Sequence, residues 1–250
     1  MDLIQALAAE LGKDPRHVEN VVHLLDEGNT IPFIARYRKE LHGAMDDTSL
    51  RTLEERLQYL RGLEERREAV KKSIDEQGKL TDELAAAIDS AKTLAEVEDL
   101  YRPYKQKRRT RATMAKEKGL EPLAALLFAQ ERDCPRPEEA ARNFVDPEQG
   151  VETVEDALQG ASDIIAEQIS DDAAIRKSLR ALISRHGQLV SRAATEDDSV
   201  YRLYYDFTQS VARLQGHQVL AINRGEKEGI LKVTVALDRE QALPLLRRAA

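Results

Sequence analysis

The chain has 250 residues, with 38 Lys and Arg against 45 Asp and Glu, a formal net charge of −7, 42% hydrophobic residues and only 4% aromatic ones. That length and apolar share support a sizeable core, in one large domain or two to three small ones, and exclude wholesale disorder. No apolar run approaches the roughly 18–20 residues of a membrane helix, the start MDLIQALAAE lacks the basic stretch of a secretory signal, and the single cysteine, Cys134, excludes an internal disulfide and a cysteine zinc cage.

These features predict a reduced, cytoplasmic compartment and no membrane partner. Only 12 Gly and 8 Pro, set among many Leu, Ala, Glu and Arg, predict a mainly α protein. Three short helices are expected in the first forty residues. Asp2 caps the first, with Leu3, Ile4, Leu7 and Leu11 on one face and Gly12 as its stop. Asp14-Pro15 restarts a helix striped by Val18, Val21, Val22 and Leu25, and Gly28-Asn29 ends it. Thr30 caps a third segment, IPFIARYRKEL. Such a trio fits a helix-turn-helix-like unit as well as an ordinary helical lobe.

A long helix follows at about 48–76. Leu50, Leu53, Leu57, Leu60 and Leu63 recur in steps of three and four, and Val70 and Ile74 continue the stripe. At 1.5 Å per residue it spans roughly 40 Å, the length of a central strut. Thr81 opens a short helix, and Thr93-Leu-Ala-Glu96 reads as a capping box for another. Pro103 then breaks the pattern, so YRPYKQKRRTRATMAKEK, 101–118, reads as a loop. Helices are expected over 120–129, after Pro137, through the acid-rich stretch 146–172, and from Asp171 or Asp172 to Gly187. Beyond that, 188–194 and GILKVTVAL (229–237) read as strands, a helix over 217–224 stops at Gly225, and a last helix begins near Asp238. The expected division is a helix-turn-helix-like unit at 1–45, a helical core at 46–187 built on the long helix, and a mixed α/β segment at 188–250.

Little here points to catalysis. His17, His23, His42, His186 and His217 are scattered, and neither HExxH, a phosphate-binding glycine loop nor GxSxG occurs. Asp46-Asp47 and Asp171-Asp172 suit helix starts, where carboxylates cap N–H groups and meet the positive helix end. No catalytic residue, metal site or cofactor is expected, and the chain reads as non-enzymatic.

The basic segment is the exception. Residues 101–118 hold eight cations against Glu117 alone, a net +7, which leaves −14 on the rest. Crowded like charges call for an anionic partner. Arg102, Lys105, Lys107, Arg108, Arg109 and Arg111 are the candidate phosphate contacts, with Tyr101 and Tyr104 as stacking or packing residues. The alternative is that these arginines pair with the acidic 146–172 region or dock on another protein surface. In Thr30–Leu41, Phe33, Ile34, Tyr37 and Leu41 share a face flanked by Arg36, Arg38 and Lys39, and there intramolecular ion pairing is expected.

GNTIPFIARYRKE (28–40), LAEVEDLYRPYKQKRRTR (94–111), EKGLEPL (117–123), YDF (205–207) and AINRGEKEGILKV (221–233) together resemble the bacterial Tex family, in order and over nearly the whole chain. The resemblance implies a cytoplasmic transcription accessory factor, similar in architecture to the core of a eukaryotic elongation factor that handles histones. It implies a helical N-terminal part followed by an RNase H-like domain, helix-hairpin-helix units and a C-terminal RNA-binding domain. The chain stops soon after GILKVTVAL, where the RNase H-like domain is expected to begin, so it reads as a fragment or a shortened relative. The partners implied are RNA or DNA, bound weakly by this part, and RNA polymerase or other transcription machinery.

Overall fold

The computed structural model describes residues 3–106, 109–131 and 134–249, and the Asp2 cap lies outside them. The described residues form thirteen α-helices and one three-stranded sheet, in two compact units, 1–104 and 105–250. The expected boundaries at 45/46 and 187/188 lie inside these units.

The first unit is organised by the long helix. Its six helices are α1 (Leu3–Leu11), α2 (Pro15–Asp26), α3 (Ile31–Tyr37), α4 (Asp47–Asp75), α5 (Asp82–Ser90) and α6 (Leu94–Tyr101), and a 3-10 turn, Arg102–Tyr104, follows. Asp46 caps α4 by accepting from the Ser49 N–H. The stripe Leu50, Leu53, Leu57, Leu60, Leu63, Val70 and Ile74 is buried along one side of α4, and each of the other five helices packs on it. Leu7, Val18, Val21, Ile34, Ile88 and Val97 are buried in that same core. No single neighbour is long enough to cover a helix of 29 residues, so the stripe is covered in sections.

Polar clasps hold those sections. Arg56 pairs with Glu10 of α1 (2.7 Å), Arg61 with Asp26 of α2 (2.6 Å) and Arg66 with Glu98 of α6 (2.6 Å). Lys71 meets Asp89 of α5 at 2.8 Å. Arg67 is buried, with Nη1 on Glu64 and Nη2 donating to the carbonyl of Ala91. An arginine cannot shed its charge, so one buried at a helix–helix seam has to be satisfied there.

The second unit comprises α7 (Arg111–Glu117), α8 (Glu121–Ala129), α9 (Pro137–Ala141), α10 (Val154–Asp171), α11 (Ala173–His186), β1 (Gln188–Ala193), β2 (Asp206–Ser210), α12 (Gly216–Lys227), β3 (Leu231–Ala236) and α13 (Arg239–Ala249). Its buried core is rich in small residues: Ala112, Ala115, Ala124, Ala140, Ala141, Ala157 and Ala161 surround Leu120, Leu123 and Ile164. Small side chains let α10 approach α7 and α8 closely. A Cβ added at Gly160 would come within 2.3 Å of Leu120 Cδ1. A full capping box starts α10, with Thr153 and Asp156 exchanging bonds. The sheet is antiparallel in the order β2–β1–β3, and Ser191 stands opposite Phe207 and Val233.

Two expectations are corrected. The loop expected over 101–118 is partly helical. Thr110 accepts from the Thr113 N–H and starts α7, and Ala112 and Ala115 are buried on the second core, which outweighs the surrounding charge. Gly225 does not stop α12. It is buried inside the helix, where a Cβ would lie 2.7 Å from Leu231 Cδ1, so its use is close approach to β3. The tyrosine-rich stretch before residue 208 leads into a strand, β2, that hydropathy alternation did not mark.

The clasps make acid sensitivity testable. Hydrogen bonding from Arg56 holds the Glu10 carboxyl below its ordinary value, and Arg61 does the same for Asp26. A carboxyl lowered by folding stabilises fully above its unfolded value of about 4, and that contribution is lost as pH falls through the lowered folded value. Both pairs are solvent-exposed, so each contributes under about 1 kcal/mol. Glu10→Gln should flatten the fall in urea midpoint between neutral pH and the acid limb; an unchanged profile would show that the pair carries no pH-linked stability.

Candidate nucleic-acid interface

The candidate residues fall in both units and are described in turn. In the first, α6 is capped by Thr93, whose Oγ1 accepts from the Glu96 N–H at 3.2 Å, while Glu96 accepts from the Lys92 N–H at 2.7 Å. The helix tightens at its end into the Arg102–Tyr104 turn, where Pro103 contributes no N–H. Both tyrosines are partly buried against the first core. The Tyr101 hydroxyl lies 2.9 Å from Ser73 Oγ of α4, and the Arg66 guanidinium sits over its ring at 5.4 Å. The Tyr104 carbonyl accepts from Gln77 Nε2 at 3.0 Å. Tyr101 and Tyr104 thus tie the segment to α4. Arg102 is exposed beside them.

In the second unit, Lys105, Arg109 and Arg111 are exposed. Lys107 and Arg108 lie outside the described residues. Arg109 Nη2 donates to Glu117 Oε2 at 2.8 Å, and both side chains are more than half exposed. Arg111 Nε stands 3.7 Å from Asp163 Oδ1 of α10, an ion pair beyond hydrogen-bonding distance. Between them Thr110 donates to Glu167 Oε1 at 3.0 Å, which fixes the start of α7 against α10. The pairing of Arg111 with the 146–172 region anticipated from sequence is therefore present, and it is loose.

The expectation for Thr30–Leu41 is overturned. Arg36, Arg38 and Lys39 make no ion pair with any described residue. Arg36 lies over the Tyr37 ring at 5.9 Å, and Arg38 over the Phe33 ring at 5.2 Å. Ile31 and Ile34 face the core, which turns Tyr37 outward and aligns both rings with the arginines. The sequence signal was the alternation of aromatic and basic residues; what it lacked was a carboxylate within reach. Among the described residues no group of three or more His, Cys, Asp or Glu is arranged to hold a metal ion, and no helix is long and apolar enough to cross a membrane.

The Tyr101–Ser73 contact carries a stability prediction. One net hydrogen bond contributes about 0.5–1.5 kcal/mol. Tyr101→Phe should lower the urea unfolding free energy by about 1 kcal/mol; a variant as stable as the parent would show that the hydroxyl does not fasten the segment.

Comparison with known proteins adds the following. Residues 1–75 match the Tex-like protein N-terminal domain, and residues 133–248 match the Tex central region. The chain is 48% identical over 237 residues to protein YdcI of Bacillus subtilis, covering 93% of this chain and 33% of that protein. It is 42% identical over 240 residues to the transcriptional accessory protein Tex of Neisseria gonorrhoeae, covering 94% and 31%. Against the human S1 RNA-binding domain-containing protein 1 it is 31% identical over 245 residues, covering 94% and 24%. The chain spans about a third or less of the length of these relatives.

Proposed function

Because the chain belongs to the Tex family, whose N-terminal and central regions it carries, we propose that it is a non-enzymatic helical scaffold of a transcription accessory protein that contacts RNA or DNA backbone without sequence choice. The contacts are Arg102, Lys105, Lys107, Arg108, Arg109 and Arg111; Tyr101 and Tyr104 pack the Arg102–Tyr104 turn against α4. The working compartment is the cytoplasm, beside RNA polymerase or other transcription machinery; a relative named as a transcriptional accessory protein supports the transcription role, and one named for an RNA-binding domain supports nucleic acid as partner.

The observation that carries this reading is the state of Arg109 and Arg111. Among the described residues, Arg109 is held by an exposed ion pair and Arg111 by a long one. Such pairs contribute about 0–1 kcal/mol, so a polyanion displaces them at little cost. Phosphate contacts of this kind give affinity and orientation, not base choice. Each phosphate neutralised on a single strand adds about 0.7 to the slope of log affinity against log salt. The double variant Arg109→Ala/Arg111→Ala should bind a labelled oligonucleotide more weakly and lower that slope by about 1.4. Equal affinity and slope in parent and variant would reject the assignment.

A second reading, a docking module, is favoured by a different feature. Val200 and Leu203 are 88% and 85% exposed. They flank Tyr201, whose ring packs near Gly225, and Tyr205, two residues on, donates its hydroxyl to the Asp197 carbonyl. Two apolar side chains presented on a pinned loop suit a protein surface, here a further domain of the longer family chains or RNA polymerase. Loss of RNA polymerase capture in Val200→Ser/Leu203→Ser, with capture kept in Arg109→Ala/Arg111→Ala, would favour docking; the reverse pattern would exclude it.

A further inference from the structure

The first unit carries 15 cations against 22 acids over residues 1–104, so carboxylates are plentiful there. Of its eight arginines between Arg16 and Arg67, six sit on carboxylates: Arg16, Arg51, Arg56, Arg61, Arg66 and Arg67. Arg36 and Arg38 meet no carboxylate among the described residues. Each lies over an aromatic ring, and the two rings, Phe33 and Tyr37, are 5.2 Å apart and tilted by 48°. Arg38 Nη1 also donates to the Tyr37 carbonyl at 3.1 Å. Tyr37 is 56% exposed, the most exposed large apolar side chain of this unit among the described residues. Buried Ile31 and Ile34 fix α3 on the core behind it, so the patch is presented from a rigid base.

We propose that this patch is a second nucleic-acid site, which takes a short single strand: phosphates on the rims of Arg36 and Arg38, and a base on the exposed part of Tyr37. A guanidinium lying on a ring commits its flat face and keeps N–H groups at its rim. That rim matches the oxygens of a phosphate, in a bidentate geometry a point charge does not offer. An acidic protein segment would satisfy the rims and leave Tyr37 without use, whereas aromatic side chains beside arginines are how single strands are held. The surplus acid of the unit disfavours a duplex, whose second backbone would have to lie against it. The inference shares with the preceding section only the premise that the chain meets nucleic acid; it uses no residue of the 102–111 segment.

The test is photo-crosslinking of the full chain to a twelve-nucleotide oligothymidylate carrying 5-bromouracil, with adducts mapped by mass spectrometry, beside anisotropy titrations of the same oligonucleotide. The expected results are an adduct on Tyr37 or Phe33 that persists in Arg109→Ala/Arg111→Ala, at least about fivefold weaker binding in Tyr37→Ala, and a salt slope lower by about 1.4 in Arg36→Gln/Arg38→Gln. Adducts confined to other segments, or Tyr37→Ala binding as tightly as the parent, would overturn the site and leave the 102–111 reading standing. The crosslink needs no substitution in α3, so a variant that misfolds does not rescue the proposal. Binding of polyglutamate that depends on Arg36 and Arg38, without an oligonucleotide adduct on α3, would assign the patch to an acidic protein instead and overturn it too. Absence of oligonucleotide binding by the parent chain would overturn both readings together.

Discussion

The permanent charge of arginine is the constraint from which most of this structure follows. A guanidinium presents five donors in a fixed fork and stays protonated at any pH a protein meets. Exposed, it is satisfied by water; once desolvated, it needs a carboxylate, a carbonyl, a ring or an outside anion. Along α4 the need is met by neighbouring helices: Glu10, Asp26 and Glu98 receive Arg56, Arg61 and Arg66, and the Ala91 carbonyl receives the buried Arg67. These clasps select which sections of a 29-residue stripe each short helix covers. Hydrophobic burial supplies the driving force; the charged pairs supply register.

The same requirement separates structural from available cations. Where the partner is a well-placed carboxylate or a buried carbonyl, the arginine belongs to the fold. Where it is a ring, as for Arg36 and Arg38, or a carboxylate met by one N–H group or only at long distance, as for Arg109 and Arg111, rather than by two N–H groups as for Arg56 and Arg61, the remaining N–H groups stay open to exchange. An acidic chain with a few cations left in this condition has a local rather than a global attraction for polyanions. Such attraction is salt-dependent and short in reach, because screening confines it to about a Debye length.

Much of the fold was legible because period and caps are local signals. The leucine steps of α4 placed it to within one residue, Asp46 and Asp172 cap the helices expected to start after them, and GILKVTVAL contains β3. What escaped had tertiary causes. Net charge over 101–118 concealed α7, which exists because Ala112 and Ala115 are covered by α10. Gly225 reads as a stop in one dimension and is a packing notch in three. At the candidate interface the cations were legible by composition, but their condition was not. Only coordinates distinguish Arg67, locked in a seam, from Arg36, lying on a ring, though both stand in runs of mixed charge. Tyr101 was open between stacking and packing, and a serine on α4 far away in sequence supplies its partner.

The most direct measurement is arginine footprinting by a dicarbonyl reagent such as phenylglyoxal, read residue by residue by mass spectrometry, on the full chain with and without a saturating oligonucleotide at low salt. The account predicts that Arg36, Arg38, Arg109 and Arg111 react readily in the free chain and become protected on addition, while Arg56, Arg61, Arg66 and Arg67 react slowly in both conditions. Equal reactivity of Arg36, Arg38, Arg109 and Arg111 with and without oligonucleotide would contradict it.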